Sequence, residues 1–83
     1  MQAFNELSIK SLRLFVAVID YGSFSAVARY EGIAPSSISR QMQQMEQALN
    51  QQLLYRHTRA VTATESGRLL ATYARRVLEQ LEE

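Results

Sequence analysis

The segment 34–40, which reads Ala-Pro-Ser-Ser-Ile-Ser-Arg, carries residue types suited to contact with nucleic acid. Pro35 favours the first turn of a helix, because the amide that proline lacks would have no partner there. Hydroxyls and free amides at a helix start can bind phosphate, and Arg40 can reach a guanine edge or a backbone oxygen. A solvated helix start, with serines bonded to backbone amides, is the alternative interpretation. The candidate contacts on this helix are Pro35, Ser36, Ser37, Ser39, Arg40 and Gln43, with Arg40 the first choice for a base.

Four further candidates lie before and after this helix in the chain. The hydroxyl of Ser23 is placed to cap the short helix that begins at residue 24, to bind a phosphate, or to do both. Arg56 and Arg59 flank a predicted hairpin tip, where arginine can bind phosphate or enter the negative potential of a minor groove. Solvated loop charge is the alternative for both. His57 is expected to add a pH-dependent phosphate contact. It is the only histidine, and the chain has no cysteine, so the sequence predicts no metal site at this residue.

Start and stop signals divide the chain into the elements that must position these residues. Ser8, Ser23 and Thr64 are suitable helix N-caps, since each hydroxyl can accept from a free amide of the first turn. Gly22 and Asn50 suit the left-handed conformation that ends a helix. The predicted elements are helices over 9–20, 24–30 and 35–49, a turn at 32–33, a hairpin formed by 53–56 and 60–64, and a last helix from residue 65 onward.

Two helices joined by a tight turn, the second with a polar start, are the layout of a helix-turn-helix. The β-prone runs after it predict a two-stranded wing. The predicted fold class is therefore mainly α: a winged helix-turn-helix with a three-helix core and a two-stranded wing, followed by a long dimerisation helix. Residues 1–63 are expected to form the DNA-binding domain, and residues 64–83 the linker and dimerisation helix.

Apolar residues of the first and last helices predict a core and a surface for self-association. In the first helix a stripe from Ile9 to Ile19 recurs at helical spacing and is expected to face the core, which places Leu14 and Val18 off the stripe. A last helix over 65–83 would span about 28 Å, too long for this small domain to cover. Packing of that face on the core alone is the alternative. The expected dimer contacts are Leu14, Val18, Leu70, Tyr73, Val77 and Leu81.

Length and composition argue against several classes of protein. The 83 residues correspond to one domain, and the lack of cysteine excludes disulfides, thiolate metal sites and a thiol nucleophile. No apolar run reaches the roughly 18–20 residues of a membrane span, and residues 1–6 do not resemble a signal peptide. A Gly-x-Ser-x-Gly elbow, a phosphate-binding glycine loop and a Glu-x-x-His pair are all missing, so no enzyme, metal or cofactor is predicted.

Charge is distributed unevenly along the chain, although the net charge is only +1. Residues 1–76 hold all nine basic side chains against five acidic ones, whereas the last seven residues hold three glutamates. The basic part is expected to face DNA and the acidic end to point away, unless that end is simply a solvated helix terminus. The weak net charge also leaves open a winged-helix module that binds protein rather than DNA.

An ordered series of residues resembles the N-terminal DNA-binding domain of LysR-type transcriptional regulators, from about residue 9 to residue 78. The matching pieces are Leu12-Arg13-x-Phe15, Gly22-Ser23-Phe24-Ser25, Ala28, Ile38-Ser39-Arg40-Gln41-Met42, Met45-Glu46, Leu49, Leu53, Arg56, Arg59, Val61 and Thr64-Glu65-Ser66-Gly67.

The resemblance implies sequence-specific binding of double-stranded DNA by a homodimer on an inverted-repeat operator. It implies a recognition helix at 35–49 in the major groove, a wing at 55–62 near the minor groove, and last helices that pair two subunits. A bacterial, cytoplasmic and nucleoid-associated protein is expected. A small-molecule co-inducer would bind only through a C-terminal effector domain, which is expected to be absent from this chain.

Some positions depart from the family pattern. Ala34-Pro35-Ser36 stands where a Ser-Gln-Pro run is usual. The expected cap is weaker by ~1 kcal/mol, because alanine offers no oxygen, and a glutamine able to pair with adenine is missing. Glu31 stands where a core leucine is usual, which predicts different packing of the turn.

Overall fold

The computed structural model describes residues 7–81, which form four helices and one two-stranded sheet. The fold is mostly helical, at 71%. Glu82 and Glu83 of the predicted acidic end, and residues 1–6, lie outside the described residues. In chain order the elements are α1 (Ile9–Tyr21), α2 (Phe24–Glu31), α3 (Pro35–Leu49), β1 (Leu54–Arg56), β2 (Val61–Ala63) and α4 (Glu65–Leu81).

The helices begin and end at the residues whose local chemistry predicts it. The hydroxyls of Ser8 and Ser23 accept hydrogen bonds of 3.1 and 3.2 Å from backbone amides three residues later, which caps α1 and α2. Gly22 ends α1 with φ of 70°, and Asn50 ends α3 with φ of 53°. Both adopt the left-handed conformation that allows the helix to stop. These four predictions are confirmed.

The N-terminus of α3 has no side-chain cap, as the sequence predicts. Ala34 supplies only its carbonyl, which accepts from the amide of Ser37 at 3.0 Å, and Pro35 occupies the first turn. The missing capping oxygen costs about 1 kcal/mol relative to serine at that position. Pro35 has no amide hydrogen and Ile38 also donates to the carbonyl of Ala34, at 3.3 Å, so within residues 7–81 the amide of Ser36 is the one in this turn that has no partner.

The wing is an antiparallel hairpin, which confirms the prediction from the β-prone runs. Leu54 and Val61 are buried, while Tyr55 and Thr62 are exposed. The amide of Val61 donates to the carbonyl of Gly22 at 2.9 Å, so the hairpin is joined directly to the end of α1. The paired residues are Leu54 with Ala63, Tyr55 with Thr62, and Arg56 with Val61.

The hydrophobic core lies where α1 meets the other three helices and β2. Apolar side chains from every element of the fold enter it, so the DNA-facing candidates on α3 and the wing share one rigid support. The largest side chains that are fully buried are Phe15, Val18, Val27, Ile38, Met42, Met45, Leu53 and Leu54.

The predicted orientation of α1 is partly wrong. Leu14 and Val18, expected off the core stripe, are only 7% and 0% exposed, whereas Ile9, expected in the core, is 41% exposed. Helix α1 packs against α2, α3, α4 and β2, so its buried face is wider than a single stripe. Leu14 and Val18 therefore belong to the core of the single chain, and they have almost no surface left for a second subunit.

Helix α4 packs against α1 through small residues. Thr64 starts it, because its hydroxyl accepts from the amide three residues later at 3.0 Å. Ala71 and Ala74 are buried between the two helices, and their short side chains allow a close approach. Arg75 forms an ion pair with Asp20 across the same contact. The direction of α4 is thus determined by α1 and by the base of the wing.

Candidate nucleic-acid interface

The polar start of α3 faces solvent because the opposite side of the helix is anchored in the core. Ile38 and Met42, one turn apart, are fully buried. The helix therefore cannot rotate without removing them from the core. Of the six predicted contacts on α3, Pro35, Ser36, Arg40 and Gln43 are exposed, and Ser37 and Ser39 are half-buried.

The turn between α2 and α3 is closed by two backbone hydrogen bonds. The amides of Gly32 and Ile33 both donate to the carbonyl of Ala28, at 2.9 and 3.1 Å. Gly32 has φ of 71°, the left-handed geometry of a helix C-terminus. Glu31 is exposed, so the turn closes without a core side chain at that position. This tight turn sets α2 against α3 in the helix-turn-helix arrangement.

The tip of the wing is exposed and compact. The amide of His57 donates to the carbonyl of Ala60 at 2.8 Å, which closes the tip. Nε2 of His57 lies 3.2 Å from Oγ1 of Thr62, so the imidazole lies against β2. The guanidinium of Arg59 is exposed and forms no hydrogen bond or ion pair within residues 7–81. Arg59 is thus the wing cation available to an external anion.

A small cleft of about 110 Å³ separates the start of α2 from the wing tip. Ser23 and His57 both line it, and hydroxyl and imidazole groups are able to donate to phosphate oxygens. The structure therefore brings together Ser23 and the wing, which are distant in sequence. The lining residues are Ser23, Phe24, Ser25, Arg56, His57, Thr58, Arg59, Ala60 and Val61.

Arg56 lies against α3 instead of extending from the wing tip. Its Nη1 donates to Oγ of Ser39 at 3.0 Å, and its Nη2 donates to Oε1 of Glu46 at 3.2 Å. The guanidinium carbon is 5.2 Å from the centroid of the Phe24 ring, a cation–π contact. Two residues predicted separately as DNA contacts, Ser39 and Arg56, are thus bonded to each other.

Glu46 has a structural role that the sequence interpretation did not assign to it. Its Oε2 accepts from the backbone amides of Leu53 and Leu54 at 2.9 and 3.1 Å, while Oε1 accepts from Arg56. One carboxylate therefore joins α3 to the start of strand β1 in the wing. The available signal was its isolation, because Glu46 is the only acidic residue between positions 32 and 64.

One side of α4 exposes large apolar side chains. Leu69, Tyr73 and Leu81 are 68%, 62% and 57% exposed. Leu70 and Val77 are half-buried beside them. Four of these five were predicted as dimer contacts, and Leu69 extends the same surface. Exposed apolar side chains clustered on one helix are typical of a protein–protein contact.

Within residues 7–81, acidic and histidine side chains form no group of three or more that could hold a metal ion. In the same part of the chain, none of the helices has the length and apolar character needed to span a membrane.

Residues 9–68 match the sequence model of the bacterial regulatory helix-turn-helix proteins of the lysR family. The chain belongs to the LysR family. It is 40% identical over 77 residues to the nitrogen assimilation regulatory protein nac of Escherichia coli strain K12, covering 93% of this chain and 25% of that protein. It is 39% identical over 82 residues to the HTH-type transcriptional regulator PtxR of Pseudomonas aeruginosa, covering 99% of this chain and 26% of that protein. This LysR-family chain therefore spans about a quarter of the length of these relatives.

Solved structures confirm the fold. The LysR-family chain is similar to the BenM DNA-binding domain in its complex with benA site 1 DNA, with a TM-score of 0.85, 37% identity, and coverage of 92% of this chain and 88% of that one. The CbnR DNA-binding domain in its DNA complex gives a TM-score of 0.86 at 33% identity, with coverage of 92% and 87%. Full-length BenM gives 0.83 at 37% identity, with coverage of 92% and 25%. The winged helix-turn-helix prediction is confirmed.

Proposed function

We propose that the chain binds double-stranded DNA sequence-specifically, with α3 in the major groove and the wing at the minor groove. The observation that carries the proposal is the 3.0 Å contact between Arg56 and Ser39, which sets the wing beside the polar start of α3. One continuous surface can then reach adjacent grooves of a duplex. The similar BenM and CbnR domains are bound to DNA in their solved structures, which supports the proposal.

On α3, Arg40 is the proposed base contact, because its guanidinium is exposed one turn beyond the helix start and can pair bidentately with guanine. The hydroxyls of Ser36 and Ser37 are proposed to bind phosphate together with the amide of Ser36, which forms no hydrogen bond within residues 7–81. Gln43, exposed on the following turn, is placed to reach a neighbouring base or the backbone.

On the wing, Arg59 is the proposed contact to phosphate or to the minor groove, since its charge is not matched within the described residues. His57 and Ser23 line the adjacent cleft and are proposed to bind the backbone of the same strand. The positive charge of the wing tip then complements the negative potential of a narrow minor groove.

Two chains are proposed to pair through the exposed apolar side of α4, formed by Leu69, Leu70, Tyr73, Val77 and Leu81. Burial of these side chains against a second copy removes apolar surface that a single chain leaves in water. A two-fold symmetric pair predicts an inverted-repeat site, with half-sites about one helical turn apart or a multiple of it.

Residues 1–63 are proposed as the DNA-binding domain, and residues 64–83 as the linker and dimerisation helix. The chain is proposed to act in the bacterial cytoplasm as a non-enzymatic regulator without a cofactor, in keeping with its membership of a regulatory family. Because the relatives are about four times as long, any co-inducer is proposed to bind a different part of a full-length regulator.

The test is selection of bound duplexes from a random pool at near-physiological salt, followed by sequencing. Enrichment of an inverted repeat with a fixed spacer is expected. If the dimer neutralises roughly six to eight phosphates, log K should fall against log salt with a slope of about −5 to −7. The double variant Arg40→Ala/Arg59→Ala should lose enrichment, and Arg76→Ala on α4 should retain it. A wild-type slope near zero would contradict DNA binding and favour a protein-binding module.

A further inference from the structure

Arg56 joins three separate elements of the fold. From β1 its guanidinium reaches Ser39 and Glu46 on α3, and it lies over the Phe24 ring at the start of α2. We propose that Arg56 is a positioning residue, which holds the wing against α3 and orients the Ser39 hydroxyl toward DNA as a hydrogen-bond donor. This inference rests on the proposed function and assigns Arg56 a different role from Arg59.

The donor and the acceptor of the Arg56–Ser39 hydrogen bond are determined by the chemistry of the two side chains. A guanidinium offers only donors, so Oγ of Ser39 must be the acceptor in the 3.0 Å contact. The one hydrogen of the hydroxyl then points elsewhere. Ser39 is half-buried on the same α3 surface as Arg40, so this hydrogen is available to a DNA acceptor. Suitable acceptors are a phosphate oxygen, guanine O6 or N7, adenine N7 and thymine O4, whereas the amino groups of cytosine and adenine are disfavoured.

Glu46 determines where the guanidinium lies. Its Oε1 accepts from Nη2 of Arg56, and its Oε2 is held by the amides of Leu53 and Leu54. The carboxylate is thus fixed at both oxygens and pairs with the charge of Arg56 on the side that faces α3. An arginine already bound to a carboxylate offers less to a phosphate than one in water, because part of its charge and two of its donors are in use.

Only an arginine can make this set of contacts. The two separate nitrogens of its planar fork reach Ser39 and Glu46 while the face of the fork lies against Phe24. A lysine at position 56 would keep the charge but present a single nitrogen, so it could not hold both partners in the same geometry. The proposal therefore predicts different outcomes for loss of charge and loss of shape.

Arg59 provides a matched control on the same hairpin. It has the same side chain, lies three residues later, and makes no ion pair within residues 7–81. Replacement of Arg59 by alanine should remove a phosphate contact and reduce the steepness of the salt dependence by about one unit per site. Arg56→Ala should leave that slope unchanged while specific binding weakens about tenfold, the effect of one lost polar contact.

The deciding experiment is a double-mutant cycle on the selected duplex with Arg56→Ala and Ser39→Ala. If Arg56 acts through Ser39, the two losses should be non-additive by about fivefold or more. The matched pair Arg59→Ala and Ser39→Ala should be additive. Arg56→Lys should bind as weakly as Arg56→Ala. The proposal is overturned if the losses of affinity in Arg56→Ala and Ser39→Ala are additive, or if Arg56→Lys binds as tightly as the wild type. It is also overturned if Arg56→Ala flattens the slope of log K against log salt as much as Arg59→Ala does.

The free protein separates failure of this inference from failure of the proposed function. If the wild-type chain binds no duplex, DNA binding fails, but Arg56 can still be tested by urea unfolding. Arg56→Ala and Glu46→Gln should then be non-additive in unfolding free energy, and backbone amide signals of Phe24 and Ser39 should shift in Arg56→Lys but not in Arg59→Lys. Additive unfolding energies together with unshifted signals would show that Arg56 positions nothing.

Discussion

Gly67 and Leu53 are in backbone contact where the last helix meets the wing. A Cβ at position 67 would lie only 2.1 Å from the carbonyl oxygen of Leu53. The same carbonyl accepts a hydrogen bond of 3.0 Å from the amide of Thr64. The start of α4 and the base of β1 are thus joined at one peptide group. The proposed dimer helix and the proposed DNA-contacting wing therefore have a fixed relative orientation.

Gly67→Ala should destabilise the fold by about 3 kcal/mol, because the new methyl group would overlap a backbone oxygen that cannot move without displacing the wing. Urea unfolding followed by circular dichroism measures the change. Gly32→Ala is the matched control, since Gly32 has left-handed φ but open space around its Cα. It should cost only about 1–2 kcal/mol, the strain of a left-handed alanine. Equal losses in the two variants would contradict the packing role of Gly67.

Glu46→Gln should lower the free energy of unfolding by about 1–2 kcal/mol. The change removes the charge from a carboxylate that accepts from two amides and from Arg56, and charge-assisted bonds are the stronger ones. Glu79→Gln, an exposed site on α4, should change stability by less than about 0.5 kcal/mol. Chemical denaturation of both variants beside the wild type checks the difference. A Glu46→Gln protein as stable as Glu79→Gln would show that the contact contributes nothing.

Arg40→Ala should weaken specific binding by about 1–3 kcal/mol and relax the preference at one base position of each half-site. The physical reason is the loss of a bidentate guanine contact, which no neighbouring side chain can replace. Fluorescence anisotropy with duplexes substituted at single positions measures both effects. Arg76→Ala, which removes the same charge from α4, should leave the base preference intact. An equal loss on specific and random duplexes would reassign Arg40 to the phosphate backbone.

Tyr73→Glu and Leu81→Glu should each convert the dimer to a monomer, because a charge would have to be buried in the helix pair. Both side chains are exposed in the single chain, so the variants should remain folded by circular dichroism. Sedimentation velocity gives the mass. Thr72→Glu, an exposed control on the polar side of α4, should remain dimeric. An unchanged mass in all three variants would place the interface elsewhere.

Local interactions made the element boundaries predictable. A serine cap or a left-handed stop involves atoms within three or four residues, so Ser8, Ser23, Gly22 and Asn50 could be assigned without knowing the fold. The period of the apolar residues likewise predicted that α3 buries Ile38 and Met42 and leaves Arg40 in water. The β-prone runs 53–56 and 60–64 predicted the wing, and the length and apolar face of the last helix predicted a pairing surface, before the family resemblance was considered.

The inner face of α1 was not predictable from periodicity alone. A helix that contacts elements on several sides buries more than one stripe, and only the packing shows which residues remain outside. Val18 illustrates this, since it was expected at a dimer contact and is completely buried in the single chain. Ile9 shows the converse, because it continues the stripe in sequence but lies beyond the region that the other elements cover.

The sequence by itself determined the helix limits, the hairpin and the outward side of α3, because each depends on residues close together in the chain. Tertiary structure alone decided that Arg56 contacts Ser39 and Glu46, 17 and 10 positions away, and that Gly67 lies against Leu53. A side chain as long as arginine can reach many partners. Its choice among them depends on distances that exist only after β1 has packed against α3, and no local pattern of residues contains those distances.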